Sequence, residues 1–192
     1  MKGLIIESLH GKIEDLRLFE KVYPLVEQKE IEGRTILAYY LGKGQYEHIT
    51  NFDNFNGVAY FRLHDDAEIS TSSIENASCS NMLNVKYPIR FVCCIRRDQL
   101  ADDCAFSDDA FAYSIITELA GNSIDIKLAA KAAKVSVNPL RISTDRKKIL
   151  EQELTGNDLK DINYEFTLIS IDLSIEIDID QKCILIPCEI YG

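Results

Sequence analysis

The sequence predicts an α+β fold (α/β two-layer) in one domain: a mainly antiparallel sheet with two to three helices packed on one face. The first observation is the stretch 169–179, where isoleucine or leucine occupies every odd position and serine, aspartate or glutamate every even one. This period of two is that of a β-strand with one wet face. The second observation is a series of shorter alternating runs joined by polar turns, typical of an antiparallel meander. The third is a small number of runs with helical spacing.

The totals limit the class of protein. A chain of 192 residues fits a single domain, 1–192, that can bury a sizeable core. The net charge of −10, from 31 acidic and 21 basic residues, argues against a protein that grips phosphate backbones over a broad face. No stretch approaches the ~20 apolar residues of a membrane span, and the apolar run at the N-terminus is too short for a signal peptide. We therefore expect synthesis in the cytosol and no membrane partner.

The first half of the chain predicts one helix followed by strands. Residues 4–20 have helical spacing, and Pro24 restricts the next segment to extended conformations. The glycines of Gly42-Lys43-Gly44 predict a hairpin turn that needs positive φ angles. The remaining predictions are an edge strand at 21–26, a charged turn at 27–33, hairpin strands at 35–41 and 45–50, and a strand at 58–63.

A polar segment and a basic strand follow. Residues 64–81 lack periodicity and predict a polar loop or arm that becomes ordered on a partner. Residues 84–97 alternate again and carry Lys86, Arg90 and Arg96 on one face. If this strand lies beside 169–179, its basic face meets the acidic face across the ladder.

The second half predicts two capped helices before the long strand. Ser107, with two aspartates after it, starts a helix that stops near Gly121, and Thr144-Asp145 caps a helix at 146–154. Pro139 ends whatever precedes it. Residues 127–134 fit a short helix, although strand-like runs flank them. The phase of apolar residues changes at Leu168-Ile169, which predicts either a β-bulge or a change of packing partner there; an edge strand is predicted at 183–186.

Two patterns suggest chemistry. The carboxylates Asp172, Glu176, Asp178 and Asp180 share one strand face, which is either a solvated face or part of a site for a hard cation. Asp125-Ile126-Lys127 fits the acidic-x-lysine element of metal-dependent nucleases, but the element is common by chance. The three histidines are isolated from one another, and no nucleophile is paired with a base. We therefore predict no catalytic residue, no cofactor and no metal.

The order of elements carries a family resemblance. An N-terminal helix, a meander with long hairpins, a capped helix after Phe106-Ser107-Asp108-Asp109 and a long acidic C-terminal strand together resemble tail terminator and head–tail completion (neck) proteins of tailed bacteriophages. The segment Ala38-Tyr39-Tyr40-Leu41-Gly42-Lys43-Gly44-Gln45-Tyr46 and the run 91–98 are similar to segments of neck and tail proteins of phages or prophages of gut Bacteroidetes.

The resemblance implies a tail-terminator-like fold and a non-enzymatic structural subunit of a neck or tail ring. Such a ring joins the head to the tail, or terminates the tail, and lets DNA pass. The implied partners are the subunit itself in a ring and neighbouring neck or tail proteins, with transient passage of DNA and no specific DNA binding. The implied location is the virion, after synthesis in the bacterial host cytoplasm. The residues expected at the channel or a subunit interface are Asp172, Glu176, Asp178, Asp180, Lys86, Arg90, Arg96 and Arg97.

Two alternatives come from other classes of protein. One is a metal-dependent, nuclease-like enzyme that uses the strand carboxylates with Asp125 and Lys127. The other is a cytosolic adaptor domain that forms no ring.

Overall fold

The computed structural model describes residues 2–31, 34–49, 55–63, 66–73, 81–99, 107–120, 124–128, 131–153 and 166–180. These ranges hold three α-helices and nine strands, with a short 3-10 turn at Arg97–Gln99. In chain order the elements are α1 (Lys2–Asp15), β1 (Lys21–Ile31), β2 (Arg34–Gly42), β3 (Gln45–His48), β4 (Gly57–Leu63), β5 (Glu68–Ser73), β6 (Asn81–Arg96), α2 (Asp108–Ala120), β7 (Ile124–Leu128), β8 (Lys131–Ser143), α3 (Arg146–Glu153) and β9 (Phe166–Asp180).

All nine strands form one sheet. Its order is β3-β2-β1-β4-β6-β9-β8-β7, and β5 pairs with the part of β6 that β4 leaves unpaired. Every pairing is antiparallel except that of β1 with β4. The predicted α+β class, with a mainly antiparallel sheet, is confirmed.

The long strand β9 is central in the sheet, as its two-faced pattern predicts. It lies between β6 and β8, and its register with β6 runs without a break from Phe166 to Asp180. At about 3.3 Å per residue, its 15 residues span roughly 50 Å. The unbroken register means that the phase change at Leu168-Ile169 is a change of packing partner and not a bulge.

The sheet is covered on both faces, and the two parities of β9 belong to different cores. The odd-numbered residues from Ile169 to Ile177 are buried beneath α1 and α2. Phe166 and Leu168 enter a second core on the opposite face, which includes Ile149 of α3. Two helices therefore share one face, as predicted, while α3 covers only one end of the other face.

The helix starts and the first hairpin agree with the sequence. Ser107 Oγ accepts a hydrogen bond from the Ala110 amide at 3.2 Å, and Asp145 Oδ1 accepts one from the Lys148 amide at 3.2 Å. The turn between β2 and β3 has φ angles of 97°, 50° and 78° at Gly42, Lys43 and Gly44. Glycine adopts such angles without strain, so the turn chemistry is the one that the sequence predicts.

Both prolines expected to end or confine strands lie instead inside them. Strand β1 continues through Pro24 to Ile31, so residues 27–31 are not a turn and β1 is not an edge strand. Pairing with β2 begins only at Val26, and the register with β4 shifts between Tyr23 and Val26. Strand β8 likewise passes Pro139 by a register shift before Arg141. A bulge removes the need for the proline N–H, which explains both exceptions.

Three further predictions differ from the structure, and a fourth lies outside the described residues. The first helix ends at Asp15 and does not reach residue 20. The segment 127–134 contributes to the β7–β8 hairpin and is not helical where described. Within the polar segment 64–81, residues 68–73 form β5, a strand rather than a loop. The strand predicted at 183–186 lies outside the described residues.

Candidate functional site

The acidic face of β9 meets the basic face of β6 within the same chain. The cross-strand register aligns Asn84 with Asp178, Lys86 with Glu176 and Arg90 with Asp172. We call these six residues the polar ladder. Residues 84–96 thus lie beside β9, which meets the condition stated for them, and the opposite charges stand side by side on one sheet face.

At its open end the polar ladder is a surface feature. Lys86 Nζ donates to Glu176 Oε1 at 3.0 Å, with 42% and 30% of the two side chains exposed. The hydrogen bond to Glu176 and its negative charge, aided by Glu68 on β5, raise the pKa of Lys86. Asn84 Nδ2 donates to Asp178 Oδ1 at 2.8 Å. These contacts orient the four side chains on a solvent-exposed face.

At its other end the polar ladder is buried. Arg90 is 5% exposed, and its guanidinium donates to Asp172 through Nε at 2.6 Å and Nη2 at 3.3 Å. Nη1 donates to Gln152 at 2.9 Å and to Glu153 at 3.2 Å. Burial opposes the charge on Arg90, but hydrogen bonds and charges from Asp172 and Glu153 outweigh it and raise its pKa. Arg90 is thus a fixed cation below the surface.

Glu153, the last residue of α3, joins a second arginine to this end. It is 2% exposed and accepts two hydrogen bonds from Arg62, from Nε at 2.9 Å and from Nη2 at 2.8 Å. The Tyr60 hydroxyl donates to the same carboxylate at 3.2 Å. Burial and the neighbouring charge of Glu153 hold the pKa of Tyr60 well above its ordinary value. We call Tyr60, Arg62, Arg90, Glu153 and Asp172 the buried ion cluster.

The buried ion cluster holds the end of α3 on the sheet. The last carbonyls of a helix have no partner inside it and must find one elsewhere. Gln28 of β1 donates to the carbonyls of Gln152 and Glu153 at 3.1 and 3.2 Å, and accepts from Arg62 at 3.4 Å. The C-terminal end of α3 is therefore tied to strands β1, β4 and β6 by polar contacts.

Sequence reasoning missed Tyr60, Arg62 and Glu153, although one signal was present. Glu153 follows the buried Ile149 by four positions, which puts it on the apolar stripe of a short helix. A carboxylate at such a position needs a buried cation. The identity of that cation depends on the alignment of Arg62 with Arg90 across β4 and β6, which only the register reveals.

The remaining predicted residues do not join the polar ladder. Arg96 pairs with Asp98, its closest contact being 2.7 Å. Arg97 donates to Thr167 Oγ1 at 3.2 Å and lies 3.9 Å from Asp108. Both arginines thus have partners within the chain, and their place at the channel or a subunit interface stays a prediction. The backbone of Asp180 lies opposite Met82, at the far end of the β6–β9 pairing.

The nuclease-like element lies two strands away from β9. Asp125 and Lys127 are on β7, where Asp125 is aligned with Lys134 of β8, and Lys134 with Asp178. Over the part of the chain that the structure describes, no group of three or more histidine, cysteine or acidic side chains is arranged to hold a metal ion. No helix in that part is long and apolar enough to cross a membrane.

Comparison with protein-family models, with curated proteins and with solved structures finds no match for the chain. We therefore infer function from the polar ladder and the sheet that carries it.

Proposed function

We propose that the protein is a non-enzymatic structural subunit of a phage neck or tail ring, which joins the head to the tail or terminates the tail and lets DNA pass. The observation that carries the proposal is the polar ladder, a face of paired opposite charges on two strands of 16 and 15 residues.

The lengths of the strands favour a wall. Typical strands have five or six residues, whereas β6 and β9 each span about 50 Å at 3.3 Å per residue. On the polar face, Phe166, Leu168 and Ser170 are buried, and the partly exposed stretch of β9 runs from Asp172 to Asp178, about 23 Å at 3.3 Å per residue. Around an axis, several such surfaces line a passage.

The paired charges favour a structural role for the carboxylates. Asp172 is held by two hydrogen bonds from Arg90, and Glu176 is bonded to Lys86. A metal-dependent nuclease needs these oxygens for a cation, which would have to displace the basic side chains already bound to them. The ladder therefore supports a scaffold over the nuclease alternative.

The same charges suit a passage for DNA. Cations and carboxylates alternate across neighbouring strands, so their fields largely cancel within a Debye length of ~10 Å at ordinary salt. The chain as a whole carries a charge of −10. A phosphate backbone near the polar ladder meets Lys86 and Arg90 already paired with carboxylates, so these cations hold it weakly.

The proposed partners are further copies of the subunit and the neighbouring neck or tail proteins of the virion. Analytical ultracentrifugation of the purified protein tests the ring, with several subunits expected in one closed species. A strict monomer at the highest attainable concentration would contradict the proposal.

A second assay addresses the nuclease. Calorimetry with Mg²⁺ and Mn²⁺ and incubation with supercoiled plasmid are expected to give neither saturable binding nor nicking. Saturable binding accompanied by cleavage, both lost in Glu176→Gln and Asp125→Asn variants, would replace the scaffold with the enzyme.

A further inference from the structure

Strand β5 lies at an open edge of the sheet. One side pairs with residues 81–86 of β6, and among the described residues no strand pairs with the other side. Strand β4, which precedes β5 along the same side of β6, is closed on its outer side by β1. Because an open edge presents unpaired backbone N–H and C=O groups, β5 is a template for a further strand.

Strand β5 has few of the features that protect edges. Proteins usually block such strands with charged side chains, lysine above all, with proline or with a β-bulge. The one charged residue of β5 is Glu68. The sequence Glu68-Ile69-Ser70-Thr71-Ser72-Ser73 contains no lysine or proline, and its register with β6 is unbroken. Ile69 is 69% exposed. An apolar residue on an unprotected edge indicates a contact surface.

Ile69 belongs to a row of apolar residues that crosses the sheet. Its register partners lie on β6, β9, β8 and β7 in turn, and the central three are buried beneath the helices α1 and α2. Strand β7 ends the sheet on the far side, within the described residues. One row therefore has isoleucine at both outer strands. In order it is Ile69, Val85, Ile177, Val135 and Ile124.

We propose that β5 of one copy pairs with β7 of a second copy of this chain, so that the sheet continues from subunit to subunit. The four pairings that lead across the sheet from β5 to β7 are all antiparallel. The two outer strands therefore run in the same direction, and the joint between copies is parallel. When the row is aligned, the side-chain alternation of both copies stays in phase. The apolar faces of the two sheets then lie on the same side of the continuous sheet, and so do the polar faces.

A second copy is the proposed occupant because its β7 carries the next isoleucine of the row and so continues the alternation of β5. Two chains of net charge −10 repel each other over most of their surfaces. The joint adds little to this repulsion, because β5 has one acidic residue and β7 has one acidic and one basic residue. The contact joins two different surfaces, so repetition gives a closed ring or an open filament. This inference rests on the proposed function for one point, that the repeated joint closes into a ring.

The first test is Ile69→Lys, with Tyr113→Lys as the matched control. Tyr113 on α2 is also largely exposed, at 62%, but lies away from the edge. Ile69→Lys is expected to weaken association about ten- to a hundredfold, the factor for burying one isoleucine side chain, and to leave the monomer's melting temperature unchanged. The control is expected to assemble normally. A lower melting temperature of the Ile69→Lys monomer would indicate that another segment of the same chain packs on Ile69, and would overturn the joint.

The second test is cross-linking of a mixture. One preparation carries Ile69→Cys and the other Ile124→Cys, and a short bis-maleimide is added. Four strand spacings, roughly 19 Å, separate the two positions within one chain, so a short linker reports only contact between copies. The mixture is expected to give a cross-linked product that neither preparation gives alone. Each preparation by itself is the control, because it shows any cross-links formed through the native cysteines.

The outcomes separate the joint from the ring. A closed ring that gives no cross-link and still assembles with Ile69→Lys overturns the joint and keeps the ring. An open filament or a dimer that gives the cross-link keeps the joint and overturns the ring. A monomer with no cross-link overturns both.

Discussion

The two ends of the polar ladder use the same cross-strand pairing in opposite surroundings. At the buried end the Arg90 side chain is 6% exposed and bonded to Asp172 and Glu153. At the open end the Lys86 side chain is 42% exposed and bonded to Glu176. Register decides which charges meet, but burial decides what each meeting contributes. The buried end is therefore expected to stabilise the fold, and the open end to shape a surface.

The largest effect is expected at the centre of the buried ion cluster. Glu153→Gln keeps the size of the side chain but leaves Arg62 and Arg90 without their shared carboxylate. Breaking a buried ion pair from one side costs about 3–5 kcal/mol of unfolding free energy. Urea unfolding followed by circular dichroism measures it. The control is Glu151→Gln on the same helix, a surface residue 3.8 Å from Lys147, which is expected to change stability by less than about 0.5 kcal/mol. Equal effects of the two substitutions would contradict the distinction between buried and exposed charge.

The next largest effect separates two carboxylates of the same strand face. Asp172→Asn removes the charge that Arg90 holds, while Glu153 remains, so we expect a loss of about 1.5–3 kcal/mol. Asp178→Asn at the exposed end is expected to cost less than about 0.5 kcal/mol. The ladder carboxylates therefore cannot be treated alike, and a variant that replaces Asp172 and Glu176 together confounds folding with assembly. If the two single substitutions have the same unfolding free energy, the ladder has no buried end.

A pH dependence is expected from Tyr60. Its pKa is raised by burial and by Glu153, whereas an unfolded tyrosine loses its proton near pH 10. Above about pH 10 the native state therefore binds more protons than the unfolded state, so the unfolding free energy falls as pH rises, by about 1.4 kcal/mol per pH unit for this group.

Tyr60→Phe isolates this contribution. At neutral pH it removes one hydrogen bond to Glu153 and is expected to cost about 1 kcal/mol. Its alkaline slope is expected to be shallower than that of the unaltered protein. Tyr23, whose pKa is raised by burial and by its hydrogen bond to Glu47, leaves a residual slope. If the unfolding free energy falls equally steeply with pH in both proteins, Tyr60 does not cause the alkaline loss of stability.

The smallest effect is expected at the open end. Lys86→Met and Glu176→Gln remove an exposed pair, whose attraction water and salt screen. A double-mutant cycle is expected to give a small coupling at low salt that disappears near 1 M salt, where the Debye length is about 3 Å. A coupling that persists at high salt would mean that this end is buried too, for example against another molecule.

The sequence predicts the fold where one local rule governs. The alternation in β9, the caps at Ser107 and Asp145 and the positive φ angles of the first turn each follow from a few neighbouring residues. The sequence also shows that a basic face at residues 84–97 would suit the acidic face of 169–179 if the two strands were neighbours, but only the fold shows that they are.

The remaining features depend on contacts between distant segments. Pro24 and Pro139 lie inside strands because a bulge in the same strand removes the need for the proline N–H, and a bulge depends on the pairing of two strands. Strand β5 forms from a polar, serine-rich sequence because β6 supplies a ladder for it. Glu153 lies 91 residues from Arg62, and only the folded sheet brings the two together.

The central claim is that the polar ladder is the wall of a passage in a ring. Electron cryo-microscopy of the assembled protein tests it most directly, because it gives both closure and the orientation of each subunit. We expect a closed ring in which Lys86 and Glu176 face the lumen and α1 and α2 lie outside. A strictly monomeric protein, or a ring with the polar ladder on its outer surface, would contradict the account.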